Sequence, residues 1–141
     1  KYGNMPIPPY IKKRIKEKAF SNIHKEYYQT IYASSGEAIA APTAGLHFTN
    51  QLIKQLKDMG FVILYLTLDI SYATFKSVEV NDIREHKIHK ERYFIPNLTA
   101  NKINELKKEG WKVIAVGTTT TRALESSFKD GKLYSGHFET S

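Results

Sequence analysis

The stretch Thr99-Ala100-Asn101-Lys102-Ile103-Asn104-Glu105-Leu106-Lys107-Lys108-Glu109-Gly110-Trp111-Lys112-Val113-Ile114-Ala115-Val116-Gly117-Thr118-Thr119-Thr120-Thr121-Arg122 decides how this chain is read. Thr99 is placed to cap a helix, Ile103 and Leu106 mark its inward face, and Gly110 follows its end. Residues 111–116 then form an apolar run of strand length, and 118–128 predict a further helix. The same order stands upstream. Thr49 caps a helix with Leu52, Ile53 and Leu56 on one face, Gly60 closes it, and residues 61–68 read as a buried strand. Strands alternating with helices predict an α/β fold, a mainly parallel sheet with helical cover.

Working outward, the first residues have a different texture. Met5-Pro6-Ile7-Pro8-Pro9-Tyr10 is extended, because proline restricts itself and the residue before it. A basic run, Lys12-Lys13-Arg14-Ile15-Lys16-Glu17-Lys18, follows. Ile23, Tyr27, Tyr28 and Ile31 recur at helical spacing and predict a short helix over 23–32. Residues 38–41 are a short strand candidate. The chain thus divides into a Pro-rich and basic lead-in, 1–36, and an α/β portion, 37–141, with no internal repeat and no low-complexity segment.

Composition sets the outer limits. With 141 residues there is room for one domain, and 41% hydrophobic with 25% charged residues is globular rather than disordered. No apolar run has membrane-spanning length, and Lys1-Tyr2-Gly3 does not open a signal peptide, so no membrane partner is expected. The absence of cysteine excludes a disulfide scaffold and thiolate metal sites, and fits a reducing cytoplasmic location. A formal net charge of +7 favours an anionic partner, of which nucleic acid is the usual one. The missing initiator methionine and the uncapped ending Phe138-Glu139-Thr140-Ser141 lead us to expect a piece of a longer polypeptide.

In parallel α/β sheets, ligands sit in the loops beyond the strand ends. Three loops here carry unusual residues: Pro42-Thr43-Ala44-Gly45-Leu46-His47-Phe48, Asp69-Ile70-Ser71-Tyr72-Ala73-Thr74-Phe75, and Gly117 through Arg122. In the last, hydroxyls stand beside free N–H groups of a helix start and Arg122 adds a planar cation, which suits a carboxylate or phosphate. Simple N-capping is the plainer reading of those threonines. The segment lacks P-loop spacing, and no G-x-G-x-x-G occurs anywhere. The cluster Glu85-His86-Lys87-Ile88-His89-Lys90-Glu91-Arg92-Tyr93 reads as acid/base or substrate contact, as a metal site, or as solvated charge. No second histidine-rich element completes a metal site.

Met5 to Ile11, Tyr28-Gln29-Thr30-Ile31-Tyr32-Ala33, the run 40–48, the His-x-x-His-x-Glu core of 85–93, and 116–126 occur in one order. In this the chain resembles the S-adenosylmethionine:tRNA ribosyltransferase-isomerases of queuosine biosynthesis, over about residues 3–141. The resemblance implies part of an α/β barrel-like domain within a larger, two-domain enzyme. It implies S-adenosylmethionine as co-substrate, tRNA as partner and no metal. The implied reaction moves and isomerises the ribosyl group onto 7-aminomethyl-7-deazaguanine at the tRNA wobble position, giving epoxyqueuosine. Catalytic candidates are His86, His89, Glu85 and Asp69. Thr43, Gly45, His47, Phe48, Thr118, Thr119, Arg122 and Glu125 are the co-substrate candidates, and Lys12, Lys13, Arg14, Tyr28 and Gln29 the RNA candidates. Two departures stand out: Asp69 and Ala73 replace a histidine and a glycine of the family's Thr-Leu-His-Val-Gly-x-Gly-Thr-Phe pattern. Asp69 and the truncation favour the alternative, a non-catalytic or vestigial tRNA-binding relative. The intact loops 40–48 and 117–126 oppose it.

Overall fold

Both main helices end in the same device. In the computed structural model, which describes residues 27–34, 38, 40–69, 82, 84 and 90–140, the helix α1 (Asn50–Asp58) starts where the Thr49 hydroxyl accepts from Leu52 N at 3.1 Å. It stops as Gly60 N–H bonds to Lys57 O and Phe61 N–H to Leu56 O, both at 3.0 Å. A second helix, α2 (Asn97–Lys108), closes with Gly110 N–H on Lys107 O and Trp111 N–H on Leu106 O. These paired bonds are Schellman closures, made by a residue in the left-handed region after the helix. Gly60 and Gly110 supply it, with φ of +92° and +85°.

The start of α2 differs from expectation. Pro96, not Thr99, precedes the helix, at φ −59° and ψ 146°, and no side chain caps this start. Thr99 lies buried in the first turn, and its hydroxyl donates to the Tyr65 carbonyl at 2.7 Å. A distant carbonyl has taken the hydroxyl that capping would have used. The helix expected over 23–32 does not reach its end either. Tyr27 is its last helical residue, and Thr30 N–H bonds to the Gln29 side chain at 3.0 Å while Ala33 N–H closes a turn on Thr30 O. Such local side-chain bonds compete with helix. Residues 38, 40 and 41 form no strand.

The sheet corrects the fold expectation. Its order is β1 (Thr67–Asp69), β2 (Arg92–Ile95), β5 (Gly136–Glu139), antiparallel throughout. A hairpin of β3 (Phe128–Lys129) and β4 (Lys132–Leu133) is antiparallel too. Among the described residues there is no parallel pair and no barrel. Of the run 61–68, expected as a buried strand, only 67–68 enter β1; residues 61–66 and the second expected strand, 111–116, belong to no strand, and Phe61, Trp111 and Ile114 lie exposed. Apolar pattern reports the tendency to be a strand; it does not name the neighbour. The neighbours come from elsewhere: β2 from the charged cluster and β5 from a tail in which no closing strand was expected.

Register explains the layers. Leu68, Tyr93 and Phe138 stand opposite one another and face inward, while Thr67, Phe94 and His137 share the other face with Asp69, Arg92 and Glu139. The core is Tyr93, Ile95, Ala100, Ala123 and Leu133, with Leu66, Leu68, Ile103, Leu124, Phe128 and Phe138 packed around it. A third helix, α3 (Thr118–Ser127), covers the sheet and is pinned by a buried 2.8 Å bond between the Tyr93 and Ser127 hydroxyls. Asn104 of α2 holds β4 from the side. Its amide donates to Leu133 O and accepts from Leu133 N, both at 2.8 Å, as a neighbouring strand would.

Candidate functional site

Two of the three loops singled out above meet in space. The first forms a short 3-10 turn, Thr43–His47, entered through Pro42. Gly45 N–H bonds to Pro42 O at 2.7 Å and Phe48 N–H to Gly45 O at 3.1 Å. Gly45 is buried against the 30–32 segment. A Cβ there would overlap the Tyr32 hydroxyl and meet Thr30 Cγ2 at 2.9 Å, so the backbone can lie this close only without a side chain. Tyr32 in turn packs against Tyr65, ring centroids 5.7 Å apart. Burial pushes the Tyr32 phenol above its ordinary pKa of 10, and the Tyr65 phenol adds to the effect. On this support the turn presents Thr43 and His47 to solvent, with Phe48 half-buried beside them.

The other loop is the start of α3. Gly117 occupies φ +95°, ψ 146°, a conformation reserved in practice for glycine. No side chain caps this helix start; the Thr121 hydroxyl donates backwards to Gly117 O at 3.1 Å. A Cβ on Gly117 would stand 4.0 Å from the Ala44 Cβ, so the glycine hinge and the 3-10 turn are in van der Waals reach. Thr118 is exposed, Thr119 and Arg122 are half-buried, and Glu125 is exposed one turn farther on. The capping reading of the threonines therefore fails, since none of the hydroxyls makes the N-cap bond. Free N–H groups at a helix start beside exposed hydroxyls and a guanidinium form an anion-accepting surface.

Asp69 is placed differently. It ends β1 opposite Arg92, which is opposite Glu139, so the three form a cross-strand row on the outer sheet face. Arg92 Nε reaches Glu139 Oε1 at 3.3 Å and Lys90 Nζ reaches Glu139 Oε2 at 4.0 Å. These four residues line an open depression of about 300 Å³. Beside it His137 stacks on Phe94 with centroids 4.4 Å apart. Sequence reasoning missed Lys90, Arg92, Glu139 and His137 as a group because it exists only once β2 pairs on both edges. A larger open depression, about 390 Å³, lies between α2 and β4 and touches none of the predicted residues.

Glu85, His86 and His89, and Lys12, Lys13 and Arg14, lie outside the described residues. Tyr28 is buried and Gln29 exposed, the latter engaged with the backbone of Thr30. Among the described residues no three His, Asp or Glu side chains converge as a metal site would require, and no helix is long and apolar enough to cross a membrane.

Comparison with known proteins adds a family to this geometry. A family model described as "Queuosine biosynthesis protein" matches residues 1–140. A Rickettsia bellii protein named S-adenosylmethionine:tRNA ribosyltransferase-isomerase is 47% identical over 140 residues, 99% of this chain and 38% of its own length. Proteins of the same name from Carboxydothermus hydrogenoformans and Finegoldia magna are 48% and 46% identical, over 93% and 88% of the chain and 37% and 34% of their own lengths. The chain thus spans about a third of the curated relatives it matches.

Proposed function

The chain belongs to the queuosine biosynthesis protein family, and from that membership we propose that it forms part of an S-adenosylmethionine-dependent tRNA ribosyltransferase-isomerase. The reaction we assign transfers the ribosyl group of S-adenosylmethionine to 7-aminomethyl-7-deazaguanine at the anticodon wobble position. Isomerisation of that group gives epoxyqueuosine, and adenine and methionine are released. The observation that carries the reading is the meeting of the 3-10 turn with the α3 start at Ala44 and Gly117, two segments 73 residues apart that both hold the family's motifs.

In this reading the hydroxyls of Thr118 and Thr119, the α3 N–H groups and Arg122 hold the methionine carboxylate. Phe48 offers an aromatic face to the sulfonium, and Thr43, Gly45, His47 and Glu125 complete the co-substrate surface. A sulfonium acidifies the carbon beside it, so a base can remove a proton there and start expulsion of adenine. His86 or His89 is that base, with Glu85 orienting it. The substrate amine, once deprotonated, attacks and forms the new carbon–nitrogen bond, and the ribosyl carbon–sulfur bond breaks as the epoxide closes, with methionine as the leaving group. Lys12, Lys13, Arg14, Tyr28 and Gln29 meet the tRNA.

A second reading, a tRNA-binding relative without turnover, is favoured by one observation: Asp69 stands in a charged row with Arg92 and Glu139, where the family pattern has a histidine. One assay separates the two. These 141 residues are placed in the Rickettsia bellii protein in exchange for the matching region, and adenine release is measured with tRNA carrying 7-aminomethyl-7-deazaguanine. Turnover near the parent's supports the enzyme; tRNA binding without adenine release supports the relative. In an active chimera, Arg122→Ala should weaken S-adenosylmethionine by about 1.5–3 kcal/mol, as loss of a charge-assisted bond does. Unchanged affinity by calorimetry would move the carboxylate elsewhere.

A further inference from the structure

Of the segment Tyr28-Gln29-Thr30-Ile31-Tyr32-Ala33, only the first two residues have a part in the reaction assigned above. Its fifth residue, Tyr32, is the one that reaches the candidate site. The turn Thr43–His47 is held internally by two backbone bonds, Gly45 N–H to Pro42 O and Phe48 N–H to Gly45 O, and no side chain caps it. Hydrogen-bond geometry is poor in so short a 3-10 piece, so its neighbours must fix its place. Two contacts do so from consecutive residues. Ala44 meets Gly117 at the α3 start, and Gly45 lies on Thr30 and Tyr32. The Tyr32 hydroxyl fills the place a Cβ of residue 45 would take, with Thr30 Cγ2 2.9 Å and Tyr32 Cζ 3.0 Å from that point.

The Tyr32 ring is itself braced. It leans on the Tyr65 ring, centroids 5.7 Å apart and planes at 47°, and the Tyr65 carbonyl accepts from the buried Thr99 of α2 at 2.7 Å. A tyrosine side chain turns about only two bonds, so a held ring holds its hydroxyl too. We propose that Tyr32 is a positioning residue for the co-substrate loop. Its hydroxyl is the stop on which Gly45 rests, and it sets where Thr43, His47 and Phe48 stand relative to the α3 start. It acts through the turn, not by contact with the reacting atoms. This rests on the reading that the loop holds S-adenosylmethionine.

The chimera in the Rickettsia bellii protein serves as the parent. Affinities for S-adenosylmethionine and for tRNA are measured by calorimetry and filter binding, at a temperature where every variant is folded. Tyr32→Phe removes the stop and nothing else. It should weaken S-adenosylmethionine roughly 10- to 100-fold, the scale on which displaced positioning groups act, and leave tRNA affinity unchanged. Gly45→Ala should also weaken it, because the new Cβ falls on the hydroxyl. Tyr32→Phe combined with Gly45→Ala puts a methyl where the oxygen was. The pair should bind S-adenosylmethionine at least about threefold more tightly than Gly45→Ala alone. If Gly45→Ala does not fold, the brace gives a second measure: Tyr65→Leu should weaken S-adenosylmethionine, and Tyr65→Phe, which keeps the ring, should not. A parent that binds no S-adenosylmethionine would overturn the reading of the loop and this proposal with it. A parent that binds it, with Tyr32→Phe binding equally well or losing both ligands alike, would overturn the proposal alone. Losses that simply add in the double variant would do the same.

Discussion

At Gly45 the backbone of the 3-10 turn lies directly on Tyr32 and Thr30. The absence of a side chain there is a packing requirement. Gly45→Ala must push the Tyr32 ring off its contact with Tyr65, and overpacking of this kind costs about 1–3 kcal/mol. A melting temperature equal to that of the parent would show that the turn yields instead. The same tyrosine makes a pH prediction. Its phenol titrates above the ordinary value of 10 because burial disfavours the phenolate. The folded state therefore holds its proton more tightly than the unfolded one. Its contribution is complete below pH 10 and is lost as pH rises through the raised folded value. Melting curves between pH 8 and 11 should show Tyr32→Phe losing less stability at the alkaline end than the parent; parallel curves would remove the effect. Neither contact follows from local pattern, since residues 30–32 and 45 are joined only by the turn's placement.

Elements meet through a few polar pins. The Tyr93–Ser127 bond is buried at both ends, 4% and 2% exposed, and ties β2 to the last turn of α3, whose first turn carries the candidate site. Tyr93→Phe leaves a buried hydroxyl unpaired, at a cost of about 1–3 kcal/mol. The double variant Tyr93→Phe with Ser127→Ala removes both hydroxyls and should recover part of that loss. Additive losses in denaturant titrations would show the two groups to be independent. Three helix ends were legible from residues alone: Thr49, Gly60 and Gly110 act locally, and their bonds run as their types require, whereas the Thr99 hydroxyl goes to the distant Tyr65 carbonyl. The hairpin signal Asp130-Gly131, both at positive φ (49° and 75°), is equally local. Strand pairing was not local. β2 and β5 are separated by 40 residues of helix and hairpin, and nothing in Arg92-Tyr93-Phe94-Ile95 states which segment will lie beside it.

For the whole molecule, a net charge of +7 sits on a chain whose basic run Lys12-Lys13-Arg14 lies outside the described residues. If that run meets phosphate, replacing all three with alanine should weaken tRNA uniformly across sequences and lower the slope of log affinity against log salt by about one to three units. An unchanged slope in filter-binding titrations would confine these side chains to keeping the chain soluble. The sequence by itself determined the helix after Thr49, the glycine closures at Gly60 and Gly110 and the family, because each of these is written in neighbouring residues or in the order of motifs. Tertiary structure alone decided that the sheet is antiparallel, that Asp69 stands in a row with Arg92 and Glu139, and that Ala44 meets Gly117. Those facts depend on which distant segments pair. Apolar periodicity is the same for a strand whether its neighbour runs with it, runs against it, or lies outside these 141 residues.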